Sequence, residues 1–203
     1  SLIVDYKCKT CLETGVAYGV STVAICQALS FLGDGCRLYG VDPSQHSEYN
    51  GAALAALREC GFSDAFELLN GPSHEMLPQL LARKVEVDLA FIDGWHTFDY
   101  TLLDVFYADK MLRPGGLLLI HDMDMPSKRK VSRFLRTHRR YRPVKRPGSR
   151  SAATYLGDLP RGLITGRRSL VRAALFGLIG VDRLLVLEKL EHWEPNYDYF
   201  KNF

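Results

Sequence analysis

The sequence predicts an α/β fold built on a doubly wound, mostly parallel sheet. Three observations carry this. Short apolar runs alternate with amphipathic segments along residues 9–140. The runs are apolar without a polar alternation, as strands covered on both faces are. Each run ends in glycine, an acid or an amide: Glu13 and Gly15, Asp42, Asn70, Asp93, Asp122. In open sheets of this kind, ligands bind outside the carboxyl ends of the strands.

The elements follow in order. Residues 9–14 read as a buried strand entering a glycine turn, and Val20, Val23, Ala24, Leu29 and Phe31 give a helix, stopped at Gly33-Asp34-Gly35. Leu38 to Asp42 is the next strand, and the Ala- and Leu-rich stretch 48–60 is a helix closed by Gly61. Phe66 to Leu69 is a short strand, followed by a helix from His74 to Arg83 with Ser73 as its expected cap. Val87 to Ile92 and Leu117 to Ile120 are strands flanking a helix over Asp99 to Met111, with Arg113-Pro114-Gly115-Gly116 as the stop. Ser127 to Arg140 predicts a helix with Val131, Phe134 and Leu135 inward. Residues 151–157 and 183–190 are expected to close the sheet as an antiparallel pair, with a helical insertion at 167–180 between them. The expectation is one domain over 1–203, with its core at about 9–140, and no repeat or low-complexity segment.

Composition narrows the class. With 203 residues, 47% hydrophobic and 24% charged, the chain can bury a substantial core. Its longest apolar stretch is Ala173 to Val181, and a membrane-spanning helix needs roughly twenty residues. No basic-then-apolar signal opens the chain. The five cysteines are odd in number and scattered, which argues for free thiols in a reducing compartment, the cytoplasm. Cys8-x-x-Cys11 lacks the second pair a zinc site needs and reads as buried thiols.

The net charge of +3 is unevenly placed. Residues 1–127 carry 8 basic against 17 acidic residues, and 128–172 carry 15 against 1. Such a basic belt suits RNA, an anionic membrane surface or an anionic acceptor, and equally a solvated helix face. The sequence contains no recognisable RNA-binding module. The insertion 167–180 and the aromatic tail 193–203 are candidate surfaces for a homodimer or a lid.

The chemistry-bearing residues cluster at the strand ends. Glu13-x-Gly15-x-x-x-Gly19 turns a strand into a helix N-terminus, where glycine admits a ligand to the backbone. Asp42 lies where a carboxylate can accept ribose hydroxyls. Ser73 and His74 stand at the rim of a nucleoside pocket. Asp93 and Asp122 end neighbouring strands and together suit a hard divalent cation. His96 and His121 beside them are candidate bases near neutral pH.

This ordered set, with Asp93-Gly94-Trp95-His96, Pro114-Gly115-Gly116 and His121-Asp122, resembles the class I S-adenosylmethionine-dependent methyltransferases, which have a Rossmann-like fold. It looks like their small-molecule O-methyltransferase branch, which includes the catechol O-methyltransferases and methyltransferase family 24. The resemblance implies S-adenosylmethionine as cofactor, held by Glu13, Gly15, Gly19 and Ser21 at the methionine end. Asp42 would take the ribose, Ser73 and His74 the adenine, and Asp93 would sit beside the methionine. It implies Mg2+ on Asp93 and Asp122, and a small-molecule acceptor. His96 occupies the spacing at which the catechol enzymes place their lysine base, so His96, Asp93 and His121 are the catalytic candidates. Those enzymes follow the second metal aspartate with Asn, whereas Met123, a poor magnesium ligand, follows Asp122 here. Two further readings are an RNA- or polyanion-directed methyltransferase and a non-catalytic nucleoside-binding scaffold. The glycine spacing disfavours a nicotinamide-dependent dehydrogenase.

Overall fold

A computed structural model describes residues 1–144 and 183–203. Strands β1 (Thr10–Thr14), β2 (Arg37–Val41), β3 (Phe66–Leu69), β4 (Val87–Ile92), β5 (Leu112–Ile120), β6 (Tyr141–Pro143) and β7 (Leu185–Lys189) form one sheet in the order β3-β2-β1-β4-β5-β7-β6. The first five are parallel, and β7 runs antiparallel to both β5 and β6. The expected doubly wound sheet with an antiparallel C-terminal closure is therefore present.

Among the described residues six α-helices accompany it: α1 (Leu2–Asp5), α2 (Val20–Ser30), α3 (Ala52–Glu59), α4 (Ser73–Ala82), α5 (Phe98–Met111) and α6 (Pro126–His138). Successive strand residues serve opposite faces. Ala90, Ile92, Leu118 and Ile120 pack with Leu77 and Leu80 of α4, Val105 and Ala108 of α5, and Val131 and Leu135 of α6. Leu89, Leu117 and Leu119 belong to the other core, with Ile3 of α1, Ile25 and Leu29 of α2, and Leu57 of α3. Both faces are buried, which is why the strands lack polar alternation.

Several boundaries differ from expectation. The strand paired with β7 is Tyr141–Pro143, inside the basic belt, with Arg142 paired across to Glu188 at 2.9 Å. The expected strand 151–157 and the insertion 167–180 lie outside the described residues. Arg113-Pro114-Gly115-Gly116 does not separate helix from strand. The chain enters β5 directly at Leu112, and residues 113–116 bulge opposite Asp88, where Arg113 Nε meets Asp88 Oδ1 at 2.5 Å. Pro72, not Ser73, caps α4, and α3 begins only after Gly51 in a left-handed turn.

The winding direction reverses between β1 and β4. A crevice forms at such a reversal, outside the carboxyl ends of the strands. The loops after β1, β2, β4 and β5 meet there.

Candidate functional site

At the end of β1, Glu13 is fully buried and accepts hydrogen bonds from the Ser21 hydroxyl and from Thr22 Oγ1 (2.7 Å). It thereby ties the strand to the first turn of α2. Burial raises its carboxyl to about 7, against the pull of the two hydroxyls, and Asp93 and Asp42 add to the rise. Glu13 and Ser21 face each other, so the Ser21 hydroxyl proton is committed to Glu13.

The turn itself requires glycine at two points. Gly15 has φ +86°, and a Cβ there would lie 2.7 Å from the Asp93 carbonyl carbon and 2.8 Å from Gly94 Cα. Gly19 has φ +80°, and its Cβ would lie 2.7 Å from that of Ala53. The loop after β1 is thus pressed against the loop after β4 on one side and α3 on the other. Between the two glycines, Ala17 also adopts a left-handed conformation, with φ +48°. Its N–H donates to Asp42 Oδ2 at 2.8 Å, and its carbonyl accepts from Gln45 Nε2 at 2.6 Å.

Asp42 is buried at the end of β2, and its Oδ1 accepts from the Ser44 N–H at 2.7 Å. Two backbone donors fix the carboxylate and leave lone pairs for hydroxyls of a ligand. Buried Gln45, which the sequence reading passed over, aims an Oε1 without a hydrogen-bond partner into the same region. On the other rim, His74 Nδ1 lies 3.3 Å from the Tyr100 hydroxyl. Ser73 is turned toward Asp104 of α5.

The loops after β4 and β5 bring the remaining candidates together. His121 Nδ1 lies 3.0 Å from Asp93 Oδ1 and 3.4 Å from Asp122 Oδ1. His96 Nε2 lies 3.6 Å from Asp122 Oδ2. One donor atom each from Asp93, His96 and Asp122 falls within 4.8 Å of the others, a set able to chelate a cation. Asp122 holds φ +54°, a strained backbone for an aspartate. The hydrogen bond with Asp93 raises the His121 pKa most, against partial burial. Burial opposes ionisation of Asp122, but Arg183, His121 and His96 overcome it and hold its carboxyl below the ordinary range.

Three residues of this cluster were not picked out from sequence. Arg183, at the entry to β7, pairs with Asp122 and lies 3.9 Å from Asp124. Asp104 on α5 is buried, with its carboxyl raised to about 6 by burial. Lys128, read as part of the basic belt, is fully buried. Burial lowers its pKa while Asp93, Asp104 and Asp122 oppose the fall. A helical-phase count would have found it. Lys128, Val131, Ser132, Leu135 and His138 are the buried stripe of α6, and the surrounding charge run concealed the spacing. The exposed part of the belt on α6 comprises Lys130, Arg133 and Arg136, and its continuation from 145 lies outside the described residues. Cys8, Cys11 and Cys26 are buried free thiols, as expected of the first two.

Comparison with known proteins agrees with this geometry. The chain resembles the O-methyltransferase TomG of Streptomyces achromogenes, involved in tomaymycin synthesis and solved with SAM. The identity is 20%, over 70% of this chain and 68% of that one, with a TM-score of 0.62. It resembles equally an O-methyltransferase of Bacillus cereus solved with SAH, at 20% identity over 70% and 69% of the two chains, with a TM-score of 0.61. At that identity these likenesses bear on the fold alone. The family described as "Methyltransferase domain" matches residues 12–123, more than half of the chain and every strand-end loop of the crevice from Glu13 to Asp122. The chain belongs to that methyltransferase family.

Proposed function

We propose that the protein is an S-adenosylmethionine-dependent methyltransferase that methylates an oxygen of a small-molecule acceptor, acting as a single catalytic domain over its 203 residues. The carrying observation is the direct packing of Gly15 against Asp93 and Gly94. It puts a turn open to a ligand's backbone contacts at the edge of a cluster that can accept a proton. The two structural neighbours solved with SAM or SAH support the same cofactor here.

The residues present fit that cofactor. Side chains at positions 15 and 19 would force the glycine turn away from the loop after β4 and from α3, and Asp42 keeps free acceptor capacity in the region of the unsatisfied Gln45 Oε1. Glu13, Gly15, Gly19, Ser21 and Asp93 border the methionine end, Asp42 takes the ribose hydroxyls, and Ser73 and His74 border the adenine. The cofactor supplies a methyl group already activated by its sulfonium. The chain's work is to align the acceptor oxygen with that methyl and to remove its proton. His96 is exposed on the acceptor side and accepts the proton at Nε2, where Asp122 at 3.6 Å stabilises the imidazolium. Asp93 fixes the His121 ring in place through Nδ1.

A divalent cation is a second element of this reading, supported by the Asp93, His96 and Asp122 donor set. The imidazole suits Mn2+ or Fe2+ better than Mg2+. Asp93, His96 and Asp122 would hold such an ion, which would acidify an acceptor hydroxyl that has a neighbouring oxygen, and proton removal would then fall to His121. The free thiols support a cytoplasmic setting, and among the described residues no helix is long and apolar enough to cross a membrane.

The test is methyl transfer to a panel of catechols and vicinal diols, with Mn2+, Mg2+ or EDTA. His96→Ala is expected to lose turnover while cofactor affinity stays within a few fold. Full activity of that variant contradicts the role given to His96.

A further inference from the structure

Lys128 is the feature of the site that neither the fold nor the proposed reaction accounts for. It is 0% exposed, and its Nζ has no hydrogen-bond partner. A buried unpaired ammonium is costly, so its retention needs a counter-charge. Its position supplies one. Ser127, the preceding residue, donates its hydroxyl to the His96 carbonyl at 2.6 Å, which pins the start of α6 to the loop after β4. Lys128 therefore enters the core beneath that loop, within the electrostatic reach of Asp93, Asp104 and Asp122.

Asp104 is also buried there, with the hydroxyls of Ser73 and Thr14 turned toward its carboxyl. A Cβ on Gly94 would lie 3.0 Å from Asp104 Oδ2 and 3.3 Å from Thr14 Oγ1. Buried Asp104, Thr14 and Lys128 thus underlie the dipeptide Asp93-Gly94. The upper side of the same carboxylates faces His96, His121 and half-exposed Arg183.

We propose that Lys128 is a built-in cation beneath the Asp93 and Asp122 carboxylates that sets the charge of the site and so limits how tightly it holds a divalent ion. Asp104 is its counterweight, drawing part of the ammonium's field away from those two carboxylates. Lys128 is a positioning residue: it touches neither acceptor nor cofactor, and it keeps Asp93 and Asp122 together when no ion does. The inference rests on the divalent-ion reading above, and its test separates the two.

The experiment is Mn2+ binding to the full chain, read from loss of the free-ion electron paramagnetic resonance signal. The variants are Lys128→Met, Asp104→Asn and Asp122→Asn, each first checked for cooperative melting. Wild type is expected to bind and Asp122→Asn to fail. Lys128→Met is expected to bind about tenfold more tightly, because a repelling charge has left a poorly screened site. Asp104→Asn is expected to bind more weakly, because Lys128 then acts on the ligands unopposed. General damage to packing would weaken both variants, so the opposite signs mark an electrostatic role. Equal or weaker binding by Lys128→Met overturns the proposal, while loss of binding in Asp122→Asn alone still upholds the metal site. Binding by Lys128→Met but not by wild type supports the proposal and refutes ion binding by the native protein. Absence of binding in both overturns both. If Lys128→Met does not fold, Asp104→Asn decides: unchanged or tighter binding overturns the proposal.

Discussion

Glu13 shows how much one side chain sets at this crevice. It is buried, yet its only described hydrogen-bond partners are the hydroxyls of Ser21 and Thr22. Among the described residues no cation pairs with it, so burial governs, and its carboxyl sits near 7 against an ordinary 4.5. The folded protein then keeps this proton between about pH 4.5 and 7, whereas the unfolded chain loses it. The unfolded state binds fewer protons in that window, so stability falls as pH rises through it. Asp104, raised to about 6, contributes in the same direction. Glu13→Gln keeps the shape and can still bond both hydroxyls. Relative to wild type, this variant is expected to gain up to about 3 kcal/mol on going from pH 4.5 to pH 8. Denaturant midpoints at the two pH values measure it, and a parallel pH dependence in both proteins would show that Glu13 ionises as an ordinary carboxylate.

At the scale of elements, the strand-end turns and the far edge of the sheet are held by different means. The turn into α2 depends on Gly19, where a Cβ would meet Ala53 Cα at 2.8 Å and the backbone is left-handed. Gly19→Ala is expected to cost about 1–3 kcal/mol in chemical denaturation and to weaken cofactor binding, since α3 must retreat. The far edge relies on charge. Asp109 of α5 accepts from Arg139 Nε at 2.9 Å and from the Tyr141 hydroxyl at 2.6 Å, with Lys189 Nζ at 3.4 Å. This buried group joins α5, α6, β6 and β7. Asp109→Asn leaves two cations without their counter-charge, and a loss of about 3–5 kcal/mol is expected from equilibrium unfolding. A change below 1 kcal/mol would mean that solvent reaches the cluster. The five parallel strands were legible because each is an apolar run ended by a turn signal. Strand β6 was not: Tyr141–Pro143 has three residues and no periodicity, and only its pairing with β7 makes it a strand. The start of β5 was hidden because proline and glycine in a bulge carry the same local signal as in a turn. Asp93, His96, His121 and Asp122 were legible as strand-end residues. Arg183 was not, because it reaches the site from a strand remote in sequence.

At the scale of the whole molecule, the sheet reversal between β1 and β4 gathers a glycine turn, a fixed carboxylate and an acid–imidazole cluster on one rim. Buried Asp42 and Asp122 and half-buried Asp93 line this rim with carboxylates. That lining favours a cationic ligand in the crevice, as a sulfonium nucleoside is. The most direct measurement is calorimetric titration of the full chain with S-adenosylhomocysteine, with Asp42→Asn alongside. Saturable micromolar binding by wild type, weakened at least several-fold in Asp42→Asn, is the predicted result. Absence of saturable binding by wild type would contradict the assignment of this crevice as the cofactor site.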